Sequence, residues 1–146
     1  MSEREKIDRF VGDFAFLSNF FPSTITVDGV MFKTAEHAYQ AQKAIIDKDV
    51  EIIASAATPG VAKTLGRKIT IRSDWDSIKV DVMKLILREK FKNPILRELL
   101  LMTGDAELVE FNEWNDRFWG VCKGVGENRL GILLQEIREE IKRDAE

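Results

Sequence analysis

The sequence is poor in the residues that build metal centres and disulfide frameworks. Its 146 residues include one cysteine, Cys122, and one histidine, His37. A single cysteine excludes an internal disulfide and a cysteine-rich zinc site. No second histidine is present to serve as a base for the thiol, so Cys122 is interpreted as structural. We therefore expect no metal and no other cofactor.

Long hydrophobic runs are also missing. No stretch approaches the ~20 apolar residues that span a bilayer, and the charged residues 1–6 lack the apolar segment of a secretory signal. We therefore expect no membrane association and a cytoplasmic location. The hydrophobic content of 45% and charged content of 32% are typical of a globular domain, and no repeat or linker suggests a second one. No sequence feature indicates an oligomeric state.

Positive charge is not in excess. The formal net charge is −3, which argues against a broad, non-specific grip on nucleic acid, because such binding needs a basic face. The same balance is compatible with a small anionic ligand held by a few local cations. A small molecule or a single modified nucleotide is favoured over a long duplex.

The hydrophobic periodicity predicts an α+β fold that is mostly α-helical, with a small antiparallel β element. Residues 7–32 read as extended, with a hairpin turn at Asp28-Gly29. Two more short strands are expected at 108–111 and 117–119. Helical patterns cover 35–47, 48–57, 59–66, 75–91, a stretch from Pro94 onward, and 127–143.

The helix predicted over 35–47 carries an unusual set of polar groups, with Thr34 as its expected N-cap. At ~100° per residue, Glu36 and Lys43 lie about 20° apart and Gln40 lies about 40° from Glu36. An apolar stripe that includes Ile45 and Ile46 runs beside them. Taken alone, the segment is also compatible with a Glu and a Lys on a solvated flank.

A second polar segment, residues 113–120, contains Asp116. Asp116 has two interpretations, a simple turn-forming residue or a second carboxylate facing Glu36. Enzymes that cleave glycosidic bonds commonly use two carboxylates with different pKa values.

Three further positions could contact a ligand. Arg67 follows a predicted helix C-terminus, where it suits a phosphate but would also be favoured without any ligand. Trp75 opens a helix and is either a core residue or a stacking platform for a base. Asn128 and Arg129 follow two glycines at the start of the last helix, near the expected pocket mouth.

Taken together, these segments resemble the NADAR family, also called YbiA-like N-glycosidases. The similarity runs in order through most of the chain, so we expect a single domain over residues 1–146 with a core of about 8–143. It is carried by residues 14–23, Asp28-Gly29, residues 32–43, residues 115–120 and residues 128–131.

The resemblance implies cleavage of an N-glycosidic bond at a phosphorylated ribose. One substrate class is ribosylaminopyrimidine intermediates of riboflavin biosynthesis; the other is ADP-ribose attached to guanine in nucleic acid. The family's functional positions fall on Glu36, Trp75 and Asp116, and Lys43 lies in the family's Gln-Ala-Gln-Lys motif. Further candidates for substrate contact are Ser18, Asn19, Gln40, Arg67, Trp119, Asn128 and Arg129.

Glu36 is expected to be the general acid/base, while Asp116 orients the ribose or stabilises developing positive charge. Two roles are open to Lys43: an ion pair that keeps Glu36 charged, or a nucleophilic amine that forms an imine with the ribose. The main alternative function is a non-catalytic module that binds ADP-ribose or another nucleotide.

Overall fold

The computed structural model describes residues 5–145, and within this range the protein contains six α-helices, one 3-10 helix and four short strands. The helices are α1 Ala35–Ala41, α2 Asp47–Ala54, α3 Pro59–Gly66, α4 Trp75–Lys90, α5 Pro94–Met102 and α6 Arg129–Asp144, with the 3-10 helix at Gly12–Leu17. The strands are β1 Lys6–Ile7, β2 Pro22–Val27, β3 Val30–Thr34 and β4 Glu107–Leu108. The predicted α+β class, mostly helical, is confirmed. None of the helices in residues 5–145 is long and apolar enough to cross a membrane.

Two compact units make up the chain. The first, called here the terminal unit, comprises Met1–Ser18 and Phe91–Glu146; the second, the central unit, comprises Asn19–Lys90.

The β-hairpin of the central unit forms where the sequence predicts it. β2 and β3 are antiparallel, with Val27 opposite Val30. Asp28 and Gly29 adopt positive φ angles of 51° and 80°, as the tightest hairpin turns require. The alternate residues Ile25, Val27 and Phe32 are buried, and the hairpin packs against α1 and α4. The predicted small antiparallel element is confirmed.

The expectation that all of residues 7–32 are extended is wrong for Gly12–Leu17, which forms a 3-10 helix. Backbone hydrogen bonds from Phe14 to Val11 and from Ser18 to Ala15 close its turns. Phe16 and Leu17 are adjacent and both buried. A strand would place these neighbours on opposite faces, so the tight helix satisfies both side chains where a strand would not.

Helix α1 is shorter than predicted because it ends at Ala41. The next residues leave the helical path, and the Lys43 carbonyl accepts a hydrogen bond of 2.9 Å from the Arg72 amide. Ile45 and Ile46, expected on the apolar stripe, are 61% and 54% exposed. A pairing with a distant segment therefore overrides the local helical periodicity after Ala41.

The terminal unit pairs β1 and β4 in parallel, and α5 packs against α6. The strand predicted at 108–111 is observed instead at Glu107–Leu108. Helix α6 buries an apolar face that includes Leu134 and Ile137, and the charged Arg138 is buried beside them. Arg138 is 1% exposed and donates to Thr103 Oγ1 and the Ala106 carbonyl, both at 2.8 Å. It therefore anchors the loop that follows α5.

Lys90, the last residue of α4, is 1% exposed. Its Nζ lies 6.0 Å from the centroid of the Phe21 ring. Burial lowers the pKa of the Lys90 ammonium group to about 7. Between pH 7 and the ~10.4 pKa of an exposed lysine, the unfolded chain binds more protons than the folded chain, so the free energy of unfolding rises with pH. Below pH 7 Lys90 is charged in both states, and burying the charge destabilises the folded state by about 5 kcal/mol.

Replacing Lys90 with Met is expected to raise the free energy of unfolding at pH 7 by on the order of 2 kcal/mol. The increase is smaller than the full free energy of burying the charge, because the contacts of Lys90 are lost with the charge. Urea unfolding at pH 7 and pH 10 measures the free energy of unfolding, which should depend much less on pH in the variant. Lys92→Met, at an exposed position, is the matched control. An equal gain in both variants would show that burial of Lys90 is not the cause.

Candidate active site

Helix α1 is buried along its whole length, including its polar residues. Glu36 is 7% exposed, Gln40 is 3% exposed and His37 is fully buried. The interpretation of Glu36 as a solvated surface residue is therefore wrong. Packing by α2, α3, α4 and the hairpin encloses this short helix.

Glu36 is held by both its side chain and its backbone. Gln40 Nε2 donates a hydrogen bond of 2.8 Å to Glu36 Oε1, one helical turn away. The Glu36 amide donates to the Asn19 carbonyl at 3.0 Å. The predicted proximity of Glu36 and Gln40 is confirmed, and the carboxylate has a fixed orientation.

His37 has a structural place beside this carboxylate. The Thr34 hydroxyl accepts from the His37 amide at 3.1 Å, which confirms Thr34 as the N-cap of α1. The same hydroxyl lies 2.8 Å from His37 Nδ1, and Nε2 lies 3.0 Å from the Ala56 carbonyl. Because a carbonyl only accepts, Nε2 carries the proton that binds Ala56. Both ring nitrogens of His37 therefore form hydrogen bonds, and these hold the start of α1 in place.

Lys43 is half-buried in the turn after α1. Burial lowers the pKa of its ammonium group, and although Glu36 opposes the shift, the positive charges of Arg67, Lys63 and Lys79 reinforce it. Lys43 and Glu36 therefore interact electrostatically, but the prediction that both lie on one helix is wrong, because Lys43 follows the end of α1. The net result is an amine that loses its proton more readily than an exposed lysine.

Trp75 begins α4 and is 7% exposed, which confirms that it is packed in the core. Its ring centroid lies 5.1 Å from that of Tyr39, with the two planes tilted by 58°. Lys43 Nζ lies 5.5 Å from the Tyr39 centroid. Tyr39, which was not among the predicted site residues, thus connects Trp75 to Lys43. A stacking role for Trp75 stays a prediction.

Asn19 and Arg67 complete the predicted residues of the central unit. Asn19 is 7% exposed and donates to Met83 Sδ at 3.5 Å, while its Oδ1 is buried without a hydrogen-bond partner in the described part of the chain. Arg67 is exposed and directly follows α3, as predicted. The central unit therefore brings together Asn19, Glu36, Gln40, Lys43, Arg67 and Trp75.

Gly66, the last residue of α3, is a site residue that the sequence does not reveal. An added Cβ would overlap Gln40 Oε1 and lie 2.9 Å from Gln40 Cδ. Only a residue without a side chain leaves room for the amide that binds Glu36. At the sequence level, Gly66 is indistinguishable from an ordinary helix-ending glycine.

Gly66→Ala is expected to lower the free energy of unfolding by about 1–3 kcal/mol and to reduce kcat more than it changes KM, because it displaces Gln40 from Glu36. Gly60→Ala in the same helix is the control, since its Cβ would meet only Thr58 Oγ1, at 3.8 Å. When Gln40 is also replaced by Ala, Gly66→Ala should lower the free energy of unfolding by less. An equal loss with and without the Gln40 side chain would rule out the clash with Gln40.

In the terminal unit, Asp116 forms a turn. Its Oδ1 accepts hydrogen bonds from the amides of Phe118 and Trp119 at 3.1 and 2.9 Å. The strand predicted at 117–119 is wrong, because this local turn uses amide groups that a strand would offer to a neighbour. The turn-forming role is thus observed, and a catalytic role for Asp116 stays a prediction.

Asn112, which sequence reasoning missed, brackets Asp116. Its Oδ1 accepts from the Asp116 amide at 3.0 Å and its Nδ2 donates to the Asp116 carbonyl at 2.8 Å. Asn112 is 2% exposed, so these hydrogen bonds fix the Asp116 backbone in a dry environment. The four-residue spacing between the two was the only signal in the sequence.

The other predicted residues of the terminal unit are distributed around this turn. Asn128 donates to the Leu108 carbonyl at 2.9 Å and accepts from the Glu110 amide at 3.0 Å, so its amide braces the backbone. Arg129 pairs with Glu127 at 3.0 Å. Trp119 is half-buried, and so is Ser18 at the end of the 3-10 helix. Substrate contacts by these four residues stay predictions.

Among the described residues, no group of three His, Cys, Asp or Glu side chains is placed to hold a metal ion. The chemistry available in the central unit is instead that of an oriented carboxylate next to an amine of lowered pKa. Such a pair is suited to proton transfer and to nucleophilic attack.

A sequence profile of the NADAR domain matches residues 8–142, which span both units. This chain belongs to the NADAR family. It is 44% identical to the N-glycosidase YbiA of Escherichia coli (strain K12) over 133 residues, which cover 88% of this chain and 82% of YbiA. The resemblance inferred from the motifs is confirmed.

Two further comparisons extend this result. The NADAR chain is 42% identical over 134 residues to the riboflavin biosynthesis protein VVA0006 of Vibrio vulnificus, covering 89% of this chain and 36% of that protein. The NMR structure of E. coli YbiA matches the fold with a TM-score of 0.86 and 40% identity, over 99% of this chain and 89% of YbiA.

Proposed function

We propose that this protein is an N-glycosidase that hydrolyses the bond between a base and a phosphorylated ribose. The observation that carries the proposal is the buried Glu36 carboxylate, bonded to Gln40 and interacting with Lys43, whose amine has a lowered pKa. The N-glycosidase name of the E. coli relative supports the same activity.

In the proposed reaction, Glu36 donates a proton to the leaving nitrogen of the base while the C1–N bond breaks. In the version that the lowered pKa of Lys43 favours, the neutral amine attacks C1 as the base leaves. One amine proton then passes to the ring oxygen as the C1–O bond opens, which gives a protonated imine. Water then adds to C1, Glu36 accepts a proton, and release of Lys43 yields the free ribose. In the ion-pair version, Lys43 keeps Glu36 charged, and Glu36 accepts a proton from the water that attacks C1 and passes it to the leaving nitrogen of the base.

The remaining residues have proposed binding roles. Asp116 orients the ribose or stabilises positive charge that develops at C1. Trp75 stacks on the base or caps the sugar, and Arg67 contacts a phosphate. The buried Asn19 Oδ1 is an acceptor that a ribose hydroxyl would satisfy. Contacts by Ser18, Gln40, Trp119, Asn128 and Arg129 complete the proposed site.

Two substrate classes fit the proposal: phosphorylated ribosylaminopyrimidines and ADP-ribose attached to guanine. The name of the V. vulnificus relative favours the first, because it places that protein in riboflavin biosynthesis. The net charge of −3 also favours a small substrate over a long nucleic acid.

The purified protein offered each substrate separately should release free base, with the larger kcat/KM identifying the physiological class. We expect the ribosylaminopyrimidine to be the better substrate. Saturable binding of both, with neither cleaved, would instead assign the protein to the non-catalytic nucleotide-binding class.

A further inference from the structure

Tyr39 is a buried aromatic residue of the central unit that has no role in the reaction proposed above. It belongs to α1 and is 6% exposed. In the sequence it follows Glu36 by three positions and precedes Lys43 by four, so one short stretch carries the carboxylate, the ring and the amine. Its ring also contacts Trp75. Tyr39 therefore adjoins two residues to which the proposed reaction gives roles.

The contact between Tyr39 and Lys43 has the geometry of a cation–π interaction. Lys43 Nζ lies over the Tyr39 ring, 5.5 Å from its centroid. A cation within about 6 Å of the centroid is attracted by the negative face of the ring, most strongly where water is excluded. Because Tyr39 is buried and Lys43 is half-buried, water screens this attraction only weakly. The ring therefore favours an ammonium group at this place.

The charged groups around Lys43 do not hold its side chain in place by themselves. Glu36 on α1 attracts the ammonium group. Three cations repel it, namely Lys63 in α3, Arg67 directly after α3 and Lys79 in α4. Burial also disfavours the charged form, and lysine has a flexible four-carbon stem. Repulsion and burial thus favour a Lys43 side chain that swings out into water, and the attraction of the Tyr39 ring opposes this.

Trp75 fixes the orientation of the Tyr39 ring. The two ring centroids lie 5.1 Å apart with a tilt of 58°, within the range of about 4.5–7 Å for favourable aromatic pairs. Trp75 begins α4 and is 7% exposed, and α4 packs against α1. The ring face beneath Lys43 is therefore held by the packing of two helices.

We infer that Tyr39 is a positioning residue, whose ring face holds the Lys43 amine in the site while Trp75 holds the ring. That this placement serves catalysis rests on the function proposed above. It serves both versions of the mechanism, because the amine must be in place to attack C1 or to pair with Glu36. The Tyr39 hydroxyl group takes no part in this role, so the aromatic face is the property to test.

Tyr39→Leu removes the ring but keeps a buried apolar side chain. This variant should lose kcat about 10- to 100-fold, with KM changed less than about three-fold, because only the amine is misplaced. Tyr39→Phe keeps the ring and should retain at least about a third of kcat. Initial rates of base release measure both variants. Equal kcat in the two variants would overturn the assignment.

A second measurement needs no substrate and preserves the shape of the ring. In the Tyr39→Phe protein, the phenylalanine at position 39 is replaced by analogues with increasing numbers of ring fluorines, which withdraw negative charge from the ring face. Because the ring stabilises the ammonium form, the pKa of Lys43 should fall stepwise, with a proton affinity about three- to ten-fold lower at the end of the series. NMR titration of lysine labelled with carbon-13 at Cε measures it, and the Lys43 signal is the one lost in Lys43→Arg.

The same analogues at Phe32, a buried ring of β3, are the control and should leave the pKa of Lys43 unchanged. A ring at position 39 that only fills space would also leave this pKa unchanged, and that result would overturn the assignment. A stepwise fall in a protein that cleaves neither substrate class would refute the proposed activity and keep the assignment. Cleavage of either substrate without the stepwise fall would do the reverse.

Discussion

Glu36→Gln is expected to lower kcat by about 10²–10⁴-fold while leaving the fold and substrate affinity nearly unchanged. An amide has the size of the carboxylate but transfers no proton to the leaving base. The hydrogen bond from Gln40 Nε2 survives, because the oxygen of the new amide accepts it where Glu36 Oε1 does now. Initial rates of base release at saturating substrate measure the effect.

Thermal unfolding of the same preparation is the control for this experiment. The melting temperature should stay close to that of the unmodified protein, since the side-chain volume in the buried α1 is retained. Retention of more than a tenth of kcat in a folded Glu36→Gln protein would remove Glu36 from its acid/base role.

Lys43→Arg is expected to lower kcat on the order of 10³-fold if the Lys43 amine attacks the ribose. Arginine keeps the positive charge beside Glu36 but is not deprotonated, so it supplies no nucleophile. Under the ion-pair version the same variant should keep most of its activity. The substitution therefore separates the two versions of the mechanism.

Borohydride reduction during turnover gives a second readout of the same step. An imine between Lys43 and the ribose should be trapped as a stable mass gain on the peptide that contains Lys43. No mass gain should occur in Lys43→Arg. A protein that turns over in borohydride without any adduct would exclude the imine and leave the ion pair.

The pH profile follows from the burial of Lys43. Because burial lowers the pKa of its ammonium group, the neutral fraction rises as the pH increases through that lowered pKa. The imine version therefore predicts that kcat/KM rises with pH on the acid side of the profile. Lys43→Arg should abolish that rise.

Local signals in the sequence were enough to predict the hairpin and most helices. Asp28-Gly29 supplies the positive φ angles of the turn, and Thr34 caps α1 with its own hydroxyl. Both features depend on residues within three or four positions of one another. The end of α1 was not predictable in this way, because it depends on the hydrogen bond between Lys43 and the distant Arg72.

The site was only partly predictable for the same reason. The spacing of Glu36 and Gln40 on one helix predicted that they lie close together, and in the structure they form a hydrogen bond. The sequence did not reveal Gly66, since its importance comes from the approach of α3 to Gln40. The sequence also did not reveal that the Asn112 side chain forms two hydrogen bonds with the Asp116 backbone, because asparagine is common in loops.

Burial was the property that periodicity described least well. A mixture of charged and apolar residues on one short helix suggested a partly solvated face. In the structure every residue of α1 is buried, because α2, α3, α4 and both strands of the hairpin cover it. This burial orients Glu36, and the partial burial of Lys43 just after α1 lowers the pKa of its ammonium group. Both are the physical basis of the proposed chemistry.

Product analysis tests the central claim most directly. The purified protein is incubated with a phosphorylated ribosylaminopyrimidine, and the products are analysed by liquid chromatography and mass spectrometry. Hydrolysis of the N-glycosidic bond predicts equal amounts of free base and ribose phosphate, with many product molecules released per protein molecule. The Glu36→Gln variant should release almost no product. Saturable binding with the substrate recovered intact would contradict the account and identify a binding module.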